Sequence, residues 1–169
     1  MDERSFARIA GALPEGSRYR GLLHRVLDCL PNDWDKFQTV GVVLEAGKPV
    51  GYASALRYKA IEGHDGEDKT HSEQTWVVTL YPEWLDPLSD QAVMWVIAHQ
   101  LGHVTSGHPC GVVTADGQRI TRLWSTVHSY RELGDLEGEV NERTADAIAR
   151  DWGFWQEEAA FKEALLDCG

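Results

Sequence analysis

The chain has 169 residues, 43% of them hydrophobic and 25% charged, with seven Trp. Those values support one globular domain with a sizeable core and exclude a disordered chain. Twenty-seven acids against 16 bases leave a formal net charge of −11. That balance argues against nucleic acid or an anionic membrane surface as a partner, and no apolar run approaches the roughly 20 residues that span a bilayer.

The first residues, Met-Asp-Glu-Arg-Ser, lack a basic stretch followed by an apolar one, so no export signal is expected. Three Cys (Cys29, Cys110, Cys168) are too few and too scattered for a disulfide framework. A reducing, cytoplasmic location is expected. The Met1 start argues against a longer, membrane-anchored protein.

Ser5 to Leu13 is expected to form a short amphipathic helix that stops near Pro14. Ser17 is a candidate cap for a second helix to about Leu30, with Leu22, Leu23, Val26, Leu27 and Leu30 at helical spacing. A β-rich section follows. Thr39–Glu45 and Val50–Tyr58 flank the turn residues Ala46-Gly47-Lys48-Pro49 and read as a hairpin. Glu62–Ser72 reads as a polar loop, and Gln74–Tyr81 as a strand bounded by Pro82. Ser89 or Asp90 then caps a helix to about Ser106. Gly107–Gln118 reads as a loop, and Thr121–Glu132, Leu136–Trp152 and Trp155–Leu166 as helices. Strands first and helices later point to a single α+β domain rather than alternating βαβ units. Its parts are N-terminal helices over about 1–31, a small, mainly antiparallel sheet over 38–82, and a helical part over 88–166. The sheet is expected to pack on the helix that carries the chemistry described next.

That helix contains His99-Gln100-Leu101-Gly102-His103. Residues i and i+4 share a helix face, so His99 and His103 can present two imidazoles to one metal ion. Val93, Ile97, Leu101 and Val104 gather on the other side, giving an amphipathic helix with one apolar face. Gly102 is unfavourable inside a helix by about 1 kcal/mol relative to Ala, and close approach of another backbone would explain it. The bland alternative is two His that happen to lie four apart.

The segment resembles the H-E-x-x-H signature of zinc metallopeptidases, with Gln100 where the Glu belongs. In that family the two His hold one zinc ion and the Glu is the general base toward the attacking water. Gln is nearly isosteric but has no basic carboxylate, so it could hold a water and could not deprotonate it. The chain is then either a natural non-catalytic relative or an engineered inactive form. The intact surroundings favour the second.

A site of this type needs a third protein ligand. His108 lies five residues beyond His103, after a Gly, and would reach the metal only if the helix ended early. Glu142 is the better candidate. On a helix, Glu142, Ala145, Asp146 and Ala149 share a face, and the two Ala would let it pack near Gly102. Asp146 could then accept a hydrogen bond from a ligand imidazole. The alternatives are Glu139 as the ligand, with Glu142 a solvated carboxylate and Asp146 a surface acid.

The pair of segments, His99-x-x-Gly-His103-Val104-x-x-x-His108 and Glu142-x-x-Ala145-Asp146, is similar to the gluzincin peptidases. It is closest to the HtpX and Oma protease family and shares shorter elements with the IrrE/ImmA regulators. The likeness covers about Asp90 to Phe154. It implies a zincin-like fold, one Zn2+ ion on His99, His103 and Glu142, and hydrolysis of a protein or peptide substrate. Gln100 would leave turnover lost or very low. His108, His128, Tyr130 and Arg143 are candidates to line the cleft or stabilise the oxyanion. The resemblance also makes Trp76, Val77, Val78, Thr79 and Leu80 the strand to which substrate adds. The alternative is a zinc-stabilised binding or regulatory domain that holds a protein without cutting it. No oligomeric state follows from the sequence.

Overall fold

The computed structural model describes residues 2–31, 37, 39–46, 53–58, 75–107, 112–113, 119–120 and 136–167. Among these residues the chain forms six helices and five strands. The helices are α1 (Glu3–Ile9), α2 (Arg18–Cys29), α3 (Pro82–Leu85), α4 (Asp90–Ser106), α5 (Leu136–Asp151) and α6 (Trp155–Asp167). The strands are β1 (Val40–Leu44), β2 (Ala53–Tyr58), β3 (Thr75–Leu80), β4 (Val112–Val113) and β5 (Arg119–Ile120).

The N-terminal helices start where side-chain oxygens satisfy free amides. Asp2 accepts from the Ser5 amide at 2.8 Å, and Ser17 accepts from the Arg20 amide at 3.2 Å, as its position before the apolar run predicts. One face of α2 is buried through Tyr19, Leu22, Leu23, Val26 and Leu27. Arg18 ties this helix to the segment that launches α4. Its Nε donates to Asp90 at 2.7 Å and its Nη2 to the Leu88 carbonyl at 2.6 Å. Tyr19 hydroxyl donates to Asp86 next to it. Pro82 opens the one-turn helix α3, which the sequence pattern does not announce.

The sheet differs from expectation. Its order is β1-β3-β2-β4-β5. β3 pairs parallel with β1 and antiparallel with β2, β2 pairs parallel with β4, and β4 antiparallel with β5. The sheet is mixed, not mainly antiparallel. The predicted hairpin between Thr39–Glu45 and Val50–Tyr58 does not form, because β3 lies between the two strands. Trp76, Val78, Thr79 and Leu80 are all buried, and a strand buried on both faces belongs in the sheet interior. Two further strands are present: β4 falls within the expected loop Gly107–Gln118, and β5 lies between that loop and the helix expected from Thr121. The predicted helix Thr121–Glu132 and the polar loop Glu62–Ser72 lie outside the described residues.

α4 begins at Ser89, whose hydroxyl accepts from the Ala92 amide at 3.2 Å, and spans the predicted range. It is not amphipathic. Residues 92–104 are buried without a break, because α2, α5, α6 and β2 all pack around it. It ends at Gly107, which takes the left-handed conformation (φ 72°) and returns its amide to the Val104 carbonyl at 3.1 Å. The α5–α6 corner closes with the Phe154 amide on the Ala149 carbonyl at 3.2 Å, placing Phe154 in the core.

α6 is tied to α5 by an ion pair between a half-buried Arg150 and a buried Glu158. Arg150 donates from Nε and Nη2 to the two carboxylate oxygens of Glu158, at 2.7 and 2.6 Å, and Lys162 reaches the same group. The Arg150 guanidinium holds the Glu158 carboxyl down at about 2 against the opposing effect of burial, with Lys162 assisting. A depressed carboxylate contributes stability that is present above its unfolded value of 4.5 and lost as pH falls toward 2. Thermal melts of the parent chain and Glu158→Gln are therefore expected to differ at neutral pH and to converge between pH 4.5 and 2. A constant difference across that range contradicts the linkage.

Candidate metal centre

The site is built where α4 and α5 touch. Close approach is set by residue size. A Cβ added at Gly102 would lie 2.7 Å from the Ala145 carbonyl oxygen and 3.1 Å from its Cα. Ala145 and Ala149 are fully buried at the same contact. Gly102 therefore answers to packing, as its cost inside a helix predicts. Gly102→Ala is expected to force the helices apart. The strain of overpacking, about 1–3 kcal/mol or more against rigid backbone, outweighs the about 1 kcal/mol that Ala gains in helix propensity. Tm and metal affinity should fall together, since α5 carries a donor of the site. An unchanged Tm contradicts this packing account.

Three side chains converge across the contact. His99 Nε2 lies 2.9 Å from Glu142 Oε2, His103 Nε2 lies 3.1 Å from Glu142 Oε1, and the two Nε2 atoms are 3.1 Å apart. All three residues are buried, His103 at 1% exposure and Glu142 at 8%. Two ring nitrogens and a carboxylate oxygen at 2.0–2.2 Å from one tetrahedral ion would sit about 3.3–3.5 Å from one another. Here the two nitrogens face different oxygens of Glu142, and with one donor atom per residue the three lie within 4.8 Å of one another, so the group could hold a metal ion.

The protonation logic points the same way. Asp146 Oδ1 lies 2.9 Å from His99 Nδ1. An ionised carboxylate only accepts, so Nδ1 carries the proton and donates. His99 Nε2 is then turned toward Glu142 and His103. In the neutral tautomer it brings a lone pair against the Glu142 carboxylate, a repulsion that a cation between them relieves. In the metal-free chain that cation is a proton. Burial pushes the His99 ring down, but the Asp146 and Glu142 carboxylates outweigh it and raise it to about 9. Burial likewise pushes Glu142 up, and the two imidazoles outweigh it and hold the carboxyl well below the usual range. A divalent ion would replace this proton, because metal binds the deprotonated imidazole.

The sequence-predicted residues divide as follows. His99, His103, Glu142 and Asp146 are brought together. Gln100 is buried at 5% exposure, one residue beyond His99 on α4. Arg143 follows Glu142 on α5 and is exposed. His108, His128 and Tyr130 lie outside the described residues, as does the side chain of Glu139. The substrate-strand expectation is overturned. Trp76, Val77, Val78, Thr79 and Leu80 form β3, and both edges of β3 are already paired, by β1 and β2. A strand with no free edge cannot accept another. Sequence reasoning also missed Trp95, a buried ring one turn before His99 with centroids 6.2 Å apart. Its i−4 spacing was the available signal.

No helix among the described residues is long and apolar enough to cross a membrane. Comparisons with protein-family models, curated proteins and solved structures returned no match.

Proposed function

We propose that this chain carries a zinc centre of the gluzincin metallopeptidase type, with His99, His103 and Glu142 as the three protein ligands. The convergence of these three buried donors, with His99 oriented by Asp146, is the observation that carries this reading. Two imidazoles and one carboxylate are a donor set that suits zinc and leaves a fourth position for water or substrate. A bound zinc ion would supply Lewis acidity toward a peptide carbonyl and toward a water. The chain's own residues do the rest. Asp146 fixes the tautomer and tilt of His99. Gln100 stands at the position of the general base. Its amide can donate and accept hydrogen bonds and cannot take up a proton at neutral pH.

The chain as written therefore binds zinc and peptide-like substrate without appreciable turnover. A peptide that adds to the sheet must use an outer strand, and among the described residues those are β1 and β5. Gln100 itself favours a second reading, in which the same centre stabilises a domain that holds a protein and never cuts it. The test is hydrolysis of an unfolded protein by Gln100→Glu, with zinc measured on the same sample. Chelator-sensitive cleavage supports the peptidase. A zinc-loaded Gln100→Glu form that cuts nothing supports the binding domain.

A further inference from the structure

We infer that α6 is part of the metal centre: Arg150, gripped by Glu158, is a positioning residue that acts on the metal ligands through Asp146. This rests on the zinc reading above. Asp146 has two carboxylate oxygens, and the structure gives each a partner. Oδ1 accepts a hydrogen bond from His99 Nδ1 at 2.9 Å, and Oδ2 forms an ion pair with Arg150 Nη2 at 3.6 Å. The same Nη2 donates to Glu158 at 2.6 Å while Nε donates to its other oxygen. The guanidinium plane is thus fixed by a fork from a different helix, and it also lies over the Trp155 ring at 5.9 Å.

A carboxylate held only by an imidazole can rotate about its last bond and carry the ring with it. An ion pair on the second oxygen opposes that rotation, so the tilt of His99 is held through two links rather than one. Glu158 is 5% exposed. Burying a carboxylate is costly unless it is paired, and here the pairing orders the Arg150 guanidinium that forms an ion pair with Asp146. Arg suits this place because its flat fork engages Glu158 with two bonds and still presents a donor edge to Asp146, which a Lys ammonium would not do with the same direction. The run His99–Asp146–Arg150–Glu158 reaches from α4 through α5 to α6.

The experiment is a zinc-affinity cycle on the full chain, by competition with a chromophoric chelator. Loss of an outer partner of a metal ligand weakens binding by about 10–100-fold, and a residue one link further out is expected to weaken it by about three- to tenfold. Arg150→Met should show that loss. In an Asp146→Asn background the same change should cost less than about twofold, because the route to His99 is already cut. The visible spectrum of the cobalt-loaded protein should shift in Arg150→Met as it does in Asp146→Asn. Glu158→Gln, nearly isosteric, provides the same cycle if Arg150→Met does not fold. Zinc affinity unchanged in Arg150→Met, or reduced equally in both backgrounds, overturns the inference while leaving the metal centre standing. Zinc binding that survives His99→Ala overturns the metal centre itself and the inference with it.

Discussion

Replacing His103 with alanine is expected to weaken zinc binding on the order of 10³-fold, beyond the about 10–100-fold cost of losing an outer partner. His103 is the most deeply buried of the three donors and lies 3.1 Å from each of the other two. Its loss leaves two protein ligands, one fewer than the three that hold zinc in an open site of this type. The consequence reaches stability. A ligand at 100 times its dissociation constant stabilises the native state by about 2.7 kcal/mol. For a chain of this size that corresponds to a rise in Tm of about 5–10 °C. The parent chain should show this zinc-dependent rise, and His103→Ala at the same zinc concentration should show almost none. Comparing melts with and without zinc separates the ligand's role from the cost of removing a buried ring, since the second is present in both. An undiminished zinc-dependent rise in His103→Ala contradicts the assignment.

Gln100→Glu is expected to raise peptide hydrolysis by about 10²–10⁴-fold, the usual contribution of a positioned general base. The substitution changes an amide nitrogen to an oxygen and almost nothing in volume, so the buried helix should accept it. It does add a charge at a site 5% exposed. In the metal-free chain that charge is unfavourable, and a divalent cation nearby offsets it. Zinc affinity should therefore stay within about tenfold of the parent, whereas turnover changes by orders of magnitude. Single-turnover assays on an unfolded protein with the metal quantified give both numbers. Equal, negligible turnover by two zinc-loaded forms would show that more than the base is missing.

The parts legible in the sequence are those governed by local period. The i, i+4 spacing of His99 and His103 predicts a shared face, and α4 presents both to Glu142. The register of Glu142, Ala145, Asp146 and Ala149 along one helix predicts a carboxylate facing the two imidazoles, a tight contact and a hydrogen bond in that order, and each of these arrangements is present. Ser17 and Ser89 mark helix starts for the reason capping residues usually do.

The illegible parts depend on partners far along the chain. Nothing within Val40–Leu44 states that its neighbour is β3 rather than the segment after the next turn. The placement follows only once β3 is known to be buried on both faces. The period of α4 predicts one apolar face for the core, yet His99, Gln100 and His103 are buried as well, because α2, α5, α6 and β2 all pack around the helix. β4 and β5, two residues each, are too short to carry an alternation. Glu158 lies eight residues from Arg150 across a helix break, outside the reach of any helical period, although Arg150 sits at the i+4 position from Asp146.

Zinc titration of the metal-stripped chain, beside the same titration of His99→Ala, tests the central claim most directly. The convergence of His99, His103 and Glu142 predicts one zinc per chain, bound saturably and removed by chelator, and no comparable binding by the variant. A parent chain that takes up no zinc, or a variant that takes up as much as the parent, contradicts it.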